Sequence, residues 1–123
     1  MSKYTNGSFW KSFEIARKGF NLAYKSQRNF RIHISVTVLV IILACLLHFN
    51  YVDFCLLFLA IGLVLVSELF NSVIEFSLDA YYKNKYSRLV KMAKDMAAAG
   101  VLLATVVSVA VGVVLFGSHL FSL

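Results

Sequence analysis

Acidic residues are scarce in this chain, which has six Asp and Glu against twelve Lys and Arg in 123 residues. It has no proline, and it has no G-x-x-x-x-G-K-[ST] sequence, which excludes a P-loop nucleotide site. The two cysteines, Cys45 and Cys55, lie in apolar runs, which favours small buried hydrophobic side chains over a disulfide or a metal pair. His33, His48 and His119 show no ligand spacing, which argues against a zinc site.

Apolar residues, by contrast, make up 60% of the chain. A soluble domain of this size has nearly half its residues apolar, so the excess indicates a membrane protein. The length suits a single domain, residues 1–123, of three or four helices. No short apolar stretch with an A-x-A-like cleavage site follows the basic start, so we expect no removable signal peptide.

The basic residues fall in two blocks. Seven precede Ile32 and five lie in 83–94, whereas the segment 50–53 and the residues after Asp95 have none. Because Lys and Arg accumulate on the cytoplasmic side of membrane helices, this predicts a multi-pass protein of the cell membrane with a cytoplasmic N-terminus. The first connection and the C-terminus are then outside, and the second connection is inside. Nucleic-acid binding is the weaker interpretation of the net charge of +6.

The apolar runs predict the fold. Residues 8–31 alternate bulky aromatic and basic residues at helical spacing, which is typical of an amphipathic helix on the membrane surface. The alternative is a soluble helix packed on a partner. Three spans follow, at 34–49, at 54–79 and at 97–117, with an outer turn at 50–53 and a cytosolic connection at 80–94. The prediction is an all-α membrane protein with one surface helix and three transmembrane helices.

Small residues recur every four positions in the third span, at Gly100, Ala104, Ser108 and Gly112. Such a stripe lets helices pack closely in lipid, which is the interpretation we favour. A role in admitting a lipid chain beside the stripe is the alternative.

Four polar side chains interrupt the second span, at Glu68, Asn71, Glu75 and Asp79. Their spacing of three, four and four residues places them on one helical face. A carboxylate within a membrane segment costs several kcal/mol (about 2.5 or more), so it marks a functional site by default. Lys91, Lys94 and Asp95 precede the third span on the same predicted side of the membrane.

This set of groups suits phosphoryl transfer. Carboxylates near water hold Mg²⁺, which in turn binds phosphate oxygens, and a lysine supplies a positive charge to phosphates. A deeper carboxylate can orient or deprotonate a hydroxyl that arrives from the bilayer. Two alternatives are polar groups that satisfy each other at a helix contact, and a small oligomeric ion transporter, which would not need the Lys94–Asp95 pair.

Two motifs carry a family resemblance. E-L-F-N-S-V-I-E-F-S-L-D (68–79) and A-K-D-M-A-A-A-G-V-L (93–102) resemble the prokaryotic integral-membrane diacylglycerol kinase family. The resemblance implies a homotrimer that uses Mg²⁺ and ATP to phosphorylate a lipid alcohol. Q-R-N-F-R-I-H (27–33) is similar to the Gram-positive branch, which favours undecaprenol as substrate over diacylglycerol.

The same resemblance implies a role for each site residue. It makes Glu68 the catalytic base and Glu75 a metal ligand, and it places the nucleotide near Asn71, Glu75, Asp79, Lys94 and Asp95. Gln27 stands where the family usually has a metal-binding Glu, and its amide oxygen can coordinate without charge. Ser87 stands where the branch tends to have a His on the adenine side, which bears on nucleotide selectivity.

Overall fold

The computed structural model describes residues 8–83 and 85–121, and the regular structure in those residues is entirely helical. The four helices are α1 (Phe9–Ser26), α2 (Arg28–Leu46), α3 (Tyr51–Tyr82) and α4 (Arg88–Leu120). By length and composition, α2, α3 and α4 can each cross a membrane. The predicted all-α architecture, one shorter N-terminal helix and three candidate spans, is therefore confirmed.

The surfaces of the three long helices are those of a protein surrounded by lipid. Leu39, Leu59 and Leu103 are 65%, 71% and 66% exposed, and few residues are buried inside the chain. With 32 and 33 residues, α3 and α4 are about 48 and 50 Å long, whereas the hydrocarbon layer is about 30 Å thick. Both helices therefore extend beyond the hydrocarbon.

The predicted surface helix at 8–31 is wrong at its C-terminal end. The helix stops at Ser26, Gln27 is extended with φ −114° and ψ 110°, and α2 begins at Arg28. The Arg31 guanidinium reaches back from α2 and donates 3.0 Å hydrogen bonds to the carbonyls of Tyr24 and Lys25. These carbonyls have no partner within α1, so Arg31 stabilises the break between the helices.

Aromatic packing fixes the angle between α1 and α2 at the break at Gln27, which we call the elbow. The rings of Phe20 on α1 and Phe30 on α2 meet edge to face with their centroids 5.1 Å apart. Phe30 is fully buried although it lies at the start of a membrane span. Charge periodicity alone did not reveal this, because the basic residues continue through the elbow without a change of pattern.

The predicted connection at 80–94 is also wrong, because most of it is helical. The helix α3 continues to Tyr82 and α4 begins at Arg88, so only 83–87 connects them. Lys83 has φ 53°, the left-handed conformation that commonly ends a helix. At the other end, Asn50 caps α3 by accepting a 2.8 Å hydrogen bond from the Asp53 backbone, so α3 begins at Tyr51.

The two longest helices, α3 and α4, pack along each other. The Ser108 hydroxyl donates to the Ala60 carbonyl at 2.8 Å, and Ala104 is buried. These two members of the small-residue stripe pack as predicted. A Cβ added at Gly100 or Gly112 would meet no atom within 4 Å, so these two glycines are not needed for helix contact inside one chain.

The predicted outer end is closed by an aromatic and polar cluster. Phe49 stacks on the His119 ring at a centroid distance of 4.4 Å. His119 Nε2 in turn lies 2.7 Å from Asp53 Oδ2, which joins the last turn of α4 to the first turn of α3. Buried apolar residues (Ala44, Phe49, Leu57 and Leu115) form the core beside it.

Candidate active site

The polar face of α3 forms a ladder that runs from a buried to a half-buried environment. Glu68 is 4% exposed, whereas Asn71, Glu75 and Asp79 are each half-buried. The steps along the helix axis are about 4.5, 6 and 6 Å, so about 16 Å separates the first rung from the last. The predicted common face is therefore present, and each rung has a different depth.

Glu68 at the buried end has a partner that the sequence analysis missed. Its Oε1 lies 3.1 Å from Nε2 of His33 in the second turn of α2. The side chains of Glu68 and His33 are 5% and 25% exposed. The sequence feature that could have identified His33 is the R-I-H end of the 27–33 motif, but that motif served only to assign a family branch.

Asn71 and Glu75 form the middle of the ladder. Asn71 Nδ2 donates to Glu75 Oε1 at 3.1 Å, which fixes the orientation of the amide. The other end of that amide, Oδ1, is buried and has no hydrogen-bond partner in the part of the chain that the structure describes. A buried oxygen that can only accept requires a donor or a cation, because its desolvation is otherwise uncompensated.

Asp79 joins the ladder to α4. Its Oδ1 accepts a 2.6 Å charged hydrogen bond from Lys94 Nζ, and the two side chains are 39% and 36% exposed. One turn away, Lys91 donates to Asp95 at 2.7 Å, and both are well exposed. This hydrogen bond, followed by the negative charge of Asp95, raises the pKa of Lys91, which lies outside the apolar segment.

These charged groups line an open cavity of about 530 Å³ at the end where α3 leaves the apolar layer. Its walls come from α3, the 83–87 connection and α4. They include two acidic and three basic side chains together with a tyrosine and a serine (Asp79, Asp95, Lys85, Lys91, Lys94, Tyr86 and Ser87). The structure thus brings Asp79, Lys91, Lys94 and Asp95 together as predicted, and it adds Lys85.

Gln27 stands apart from this set. It lies in the elbow, and no hydrogen bond or ion pair joins its side chain to Glu75 among residues 8–83 and 85–121. In the same residues, no three His, Cys, Asp or Glu side chains group as metal ligands. Magnesium in nucleotide sites takes only one or two carboxylates and completes its shell with phosphates and water. Glu75 and the unpartnered Asn71 Oδ1 fit that requirement.

A second cavity, an apolar groove of about 540 Å³, runs between α2, α3 and α4. Its three hydroxyl groups, on Thr37, Thr105 and Ser108, all donate to backbone carbonyls. The groove therefore offers a hydrocarbon-like surface. His33 lines it and contacts Glu68, so the groove ends beside the buried rung of the ladder.

Comparison with known proteins gives consistent relatives. The family model described as prokaryotic diacylglycerol kinase matches residues 14–116. The diacylglycerol kinase of Synechocystis sp. is 42% identical over 112 residues, which cover 91% of this chain and 64% of the relative. The undecaprenol kinase of Bacillus subtilis is 33% identical over 108 residues, 88% of this chain and 87% of the relative. The diacylglycerol kinase of Escherichia coli is 33% identical over 102 residues, 83% of each chain. This chain thus spans less than two thirds of the Synechocystis protein.

Proposed function

Because the chain belongs to the prokaryotic diacylglycerol kinase family, a family of membrane lipid kinases, we propose that it transfers the γ-phosphoryl group of ATP to the hydroxyl of a lipid alcohol. We further propose diacylglycerol as that alcohol. The sequence analysis favoured undecaprenol on the 27–33 motif, but 42% identity to a diacylglycerol kinase against 33% to an undecaprenol kinase supports the reverse order. Undecaprenol remains the second candidate.

One observation carries this proposal: the polar ladder on α3 connects a charged cavity to an apolar groove. A kinase that acts on a lipid must bring a polyphosphate and a membrane-embedded hydroxyl to the same point. The ladder supplies that connection over about 16 Å. An ion transporter would use intramembrane carboxylates too, but a cavity lined by three lysines against two carboxylates fits an anionic ligand better.

In this proposal the nucleotide binds in the charged cavity. Lys94 contacts the phosphates, and Asp79 and Asp95 position the two lysines of α4. Glu75 and Asn71 Oδ1 are the groups that would hold Mg²⁺. The Gln27 amide oxygen, which makes no hydrogen bond to Glu75 in the described residues, would be a further ligand of the same ion. When bound, Mg²⁺ neutralises phosphate charge and orients the γ-phosphoryl group for in-line transfer.

Glu68 acts at the lipid end. The lipid hydroxyl transfers its proton to the Glu68 carboxylate as its oxygen bonds to the γ-phosphorus. The bond from that phosphorus to the β–γ bridging oxygen breaks, and ADP leaves. The buried position of Glu68 excludes water from this point, which protects ATP from hydrolysis.

We place the hydrocarbon part of the lipid in the apolar groove. The groove is continuous with the His33–Glu68 contact, and its hydroxyl groups are already satisfied. A chain lying there would hold its headgroup near Glu68. Binding there would orient the reacting hydroxyl, and the lipid would lose translational and rotational entropy when it binds, before the reaction.

In this proposal the N-terminus is cytoplasmic and the active site lies at the cytoplasmic face of the membrane. We also propose that the protein is a homotrimer. The described residues of both basic blocks lie toward the elbow end of the molecule, which supports that orientation. A reporter active only in the cytosol is expected to work when fused near Lys85 and to fail when fused after Leu123. Activity at both positions would contradict the three-span topology.

The decisive experiment offers Mg²⁺-ATP with diacylglycerol or undecaprenol in parallel to purified protein in bilayer discs. We expect phosphatidic acid to form faster than undecaprenyl phosphate, and Glu68→Gln to slow the formation of both products by about 10²- to 10⁴-fold. The reverse ranking would restore undecaprenol as the substrate. Ion flux in liposomes without any lipid product would replace the kinase proposal by the transporter.

A further inference from the structure

The carboxylate of Glu68 is almost enclosed by the protein, yet within the described residues it has a single polar side-chain contact. Its side chain is 5% exposed, and the 3.1 Å approach of His33 is its only side-chain hydrogen bond or ion pair within the described residues. The neighbouring hydroxyl of Ser72 is turned away, because it donates to the Glu68 backbone carbonyl at 3.0 Å. The position of the Glu68 carboxylate therefore depends on one imidazole.

The contact determines which oxygen of Glu68 faces the imidazole. Nε2 of His33 lies 3.1 Å from Oε1, within ion-pair distance, and an imidazole N–H is a donor whereas a carboxylate oxygen accepts. A carboxylate has two oxygens, and His33 faces Oε1. The other oxygen, Oε2, keeps its lone pairs for a second donor.

The backbone that carries the imidazole is anchored by several contacts. The Thr37 hydroxyl donates to the His33 carbonyl at 2.7 Å. Phe30, three residues earlier, is fully buried, and Arg31 is bound to the carbonyls that end α1. A group supported in this way keeps its geometry during a reaction, which is what a precise site requires.

We propose that His33 is the positioning residue for Glu68: it holds Oε1 so that Oε2 receives the proton of the lipid hydroxyl. This inference rests on the proposed lipid kinase function and assigns a role that the sequence analysis gave to no residue. His33 touches neither phosphate nor metal in this arrangement. It acts through Glu68, as the outer-shell partner of a catalytic group does.

The test measures turnover and the KM values for ATP and lipid in His33→Ala and His33→Gln. Losing an orienting partner typically costs about 10- to 100-fold, so His33→Ala should lower kcat by that factor with the KM for ATP unchanged. In His33→Gln the amide N–H lies near the position of Nε2–H, and it should restore most of the loss. His119→Ala is the matched control, because that histidine also contacts a carboxylate, at 2.7 Å and at the opposite end of the molecule.

Double variants test whether His33 acts through Glu68. In a Glu68→Gln background, His33→Ala should cause no further loss of kcat, because residues that act as one unit are non-additive. Equal loss in both backgrounds, or a wild-type kcat in His33→Ala, would overturn the inference and leave the kinase proposal intact. If the unaltered protein phosphorylates no lipid, both proposals are wrong.

A second measurement reads the contact without activity. Nitrogen-15 NMR of labelled histidine should show one His33 ring nitrogen whose shift changes in Glu68→Gln, while the His119 signals stay unchanged. A His33 signal that is unaffected by Glu68→Gln would overturn the inference. This result would hold even if a variant lost activity because it was misfolded.

Discussion

At the scale of single residues, depth along α3 distinguishes groups of the same chemical type. Glu68 and Glu75 are both glutamates on one helical face, but the first is 4% exposed and the second is half-buried. The first contacts an imidazole and the second an amide. Two carboxylates in such different surroundings suit different tasks.

Amide substitutions separate these tasks. We expect Glu68→Gln to lower kcat by about 10²- to 10⁴-fold, the typical loss of a general base, with nucleotide affinity nearly unchanged. Glu75→Gln should instead weaken Mg²⁺-ATP binding, because the metal loses a charged ligand. Nucleotide affinity and turnover measured on both variants decide the assignment. Weak ATP binding by Glu68→Gln would show that the roles are wrongly divided.

The neutral residue at the elbow gives a separate prediction. If the Gln27 amide binds metal, Gln27→Glu adds a charge and should lower the Mg²⁺ concentration required for half-maximal activity. The measurement is a Mg²⁺ titration at saturating ATP and lipid, with Gln27→Ala as the control that removes the oxygen. An identical Mg²⁺ requirement in all three proteins would mean that position 27 does not contact metal.

Single residues also show which contacts in the site could be predicted from the sequence. The ladder and the approach of Lys94 to Asp79 were predictable, because helical periodicity and topology fix which side chains share a face and a depth. The pairing of His33 with Glu68 was not predictable from either motif alone. It depends on where α2 begins, and that depends on the break at Gln27.

At the scale of elements, the existence of the helices followed from composition, but two boundaries did not. Hydropathy locates the apolar stretches. The helices α3 and α4 nevertheless continue beyond them, because a helix outside the hydrocarbon can include Lys, Arg and Asp. The sequence offers neither a proline nor a glycine between 63 and 99 to end a helix earlier. Hence the connection between α3 and α4 is shorter than predicted.

The groove between the long helices can be filled without disturbing them. A side chain at Gly112 enters open space along the groove, so Gly112→Leu should raise the KM for the lipid by about 10-fold or more while the KM for ATP is unchanged. Gly100→Leu is the matched control, since its added atoms also meet open space but outside the groove.

Oligomeric state distinguishes the two possible occupants of the groove. If Gly112→Leu alters the oligomer and leaves the KM for the lipid unchanged, a second copy of the chain occupies the groove instead of a lipid. The same measurement on Gly100→Leu shows whether any bulky residue on α4 has that effect.

At the scale of the whole molecule, the proposed active site and the aromatic and polar cluster lie at opposite ends. The charged cavity lies where α3 ends and α4 begins, whereas the Phe49–His119–Asp53 cluster closes the other end of the same helix pair. The two regions are separated by the apolar middle of α3 and α4. Substitutions at one end are therefore expected to leave the other unaffected.

This separation predicts that His119→Ala destabilises the protein without impairing its site. Removing one partner of a part-buried pair should lower the free energy of unfolding by about 1–3 kcal/mol. The measurement is reversible unfolding in mixed micelles, with kcat per folded molecule expected to be unchanged. Lys18→Ala, which breaks an exposed 3.7 Å pair with Glu14, is the control and should change stability by less than about 0.5 kcal/mol. Equal effects of the two substitutions would contradict the proposed role of the Phe49–His119–Asp53 cluster in stability.

The one-residue elbow at Gln27 limits which insertions and deletions the N-terminal helix can accept. Arg31 binds two consecutive carbonyls at the end of α1, and Phe20 meets Phe30, so the rotational phase of α1 is locked to that of α2. Inserting a single residue between Phe20 and the elbow would rotate the preceding part of α1 by about 100° about its axis. The face that carries Phe9 and Phe13 would then turn toward water and the lysines toward lipid. Insertions of four residues preserve the phase, so length variation in this segment should come in helical turns, whereas the 83–87 connection imposes no such period.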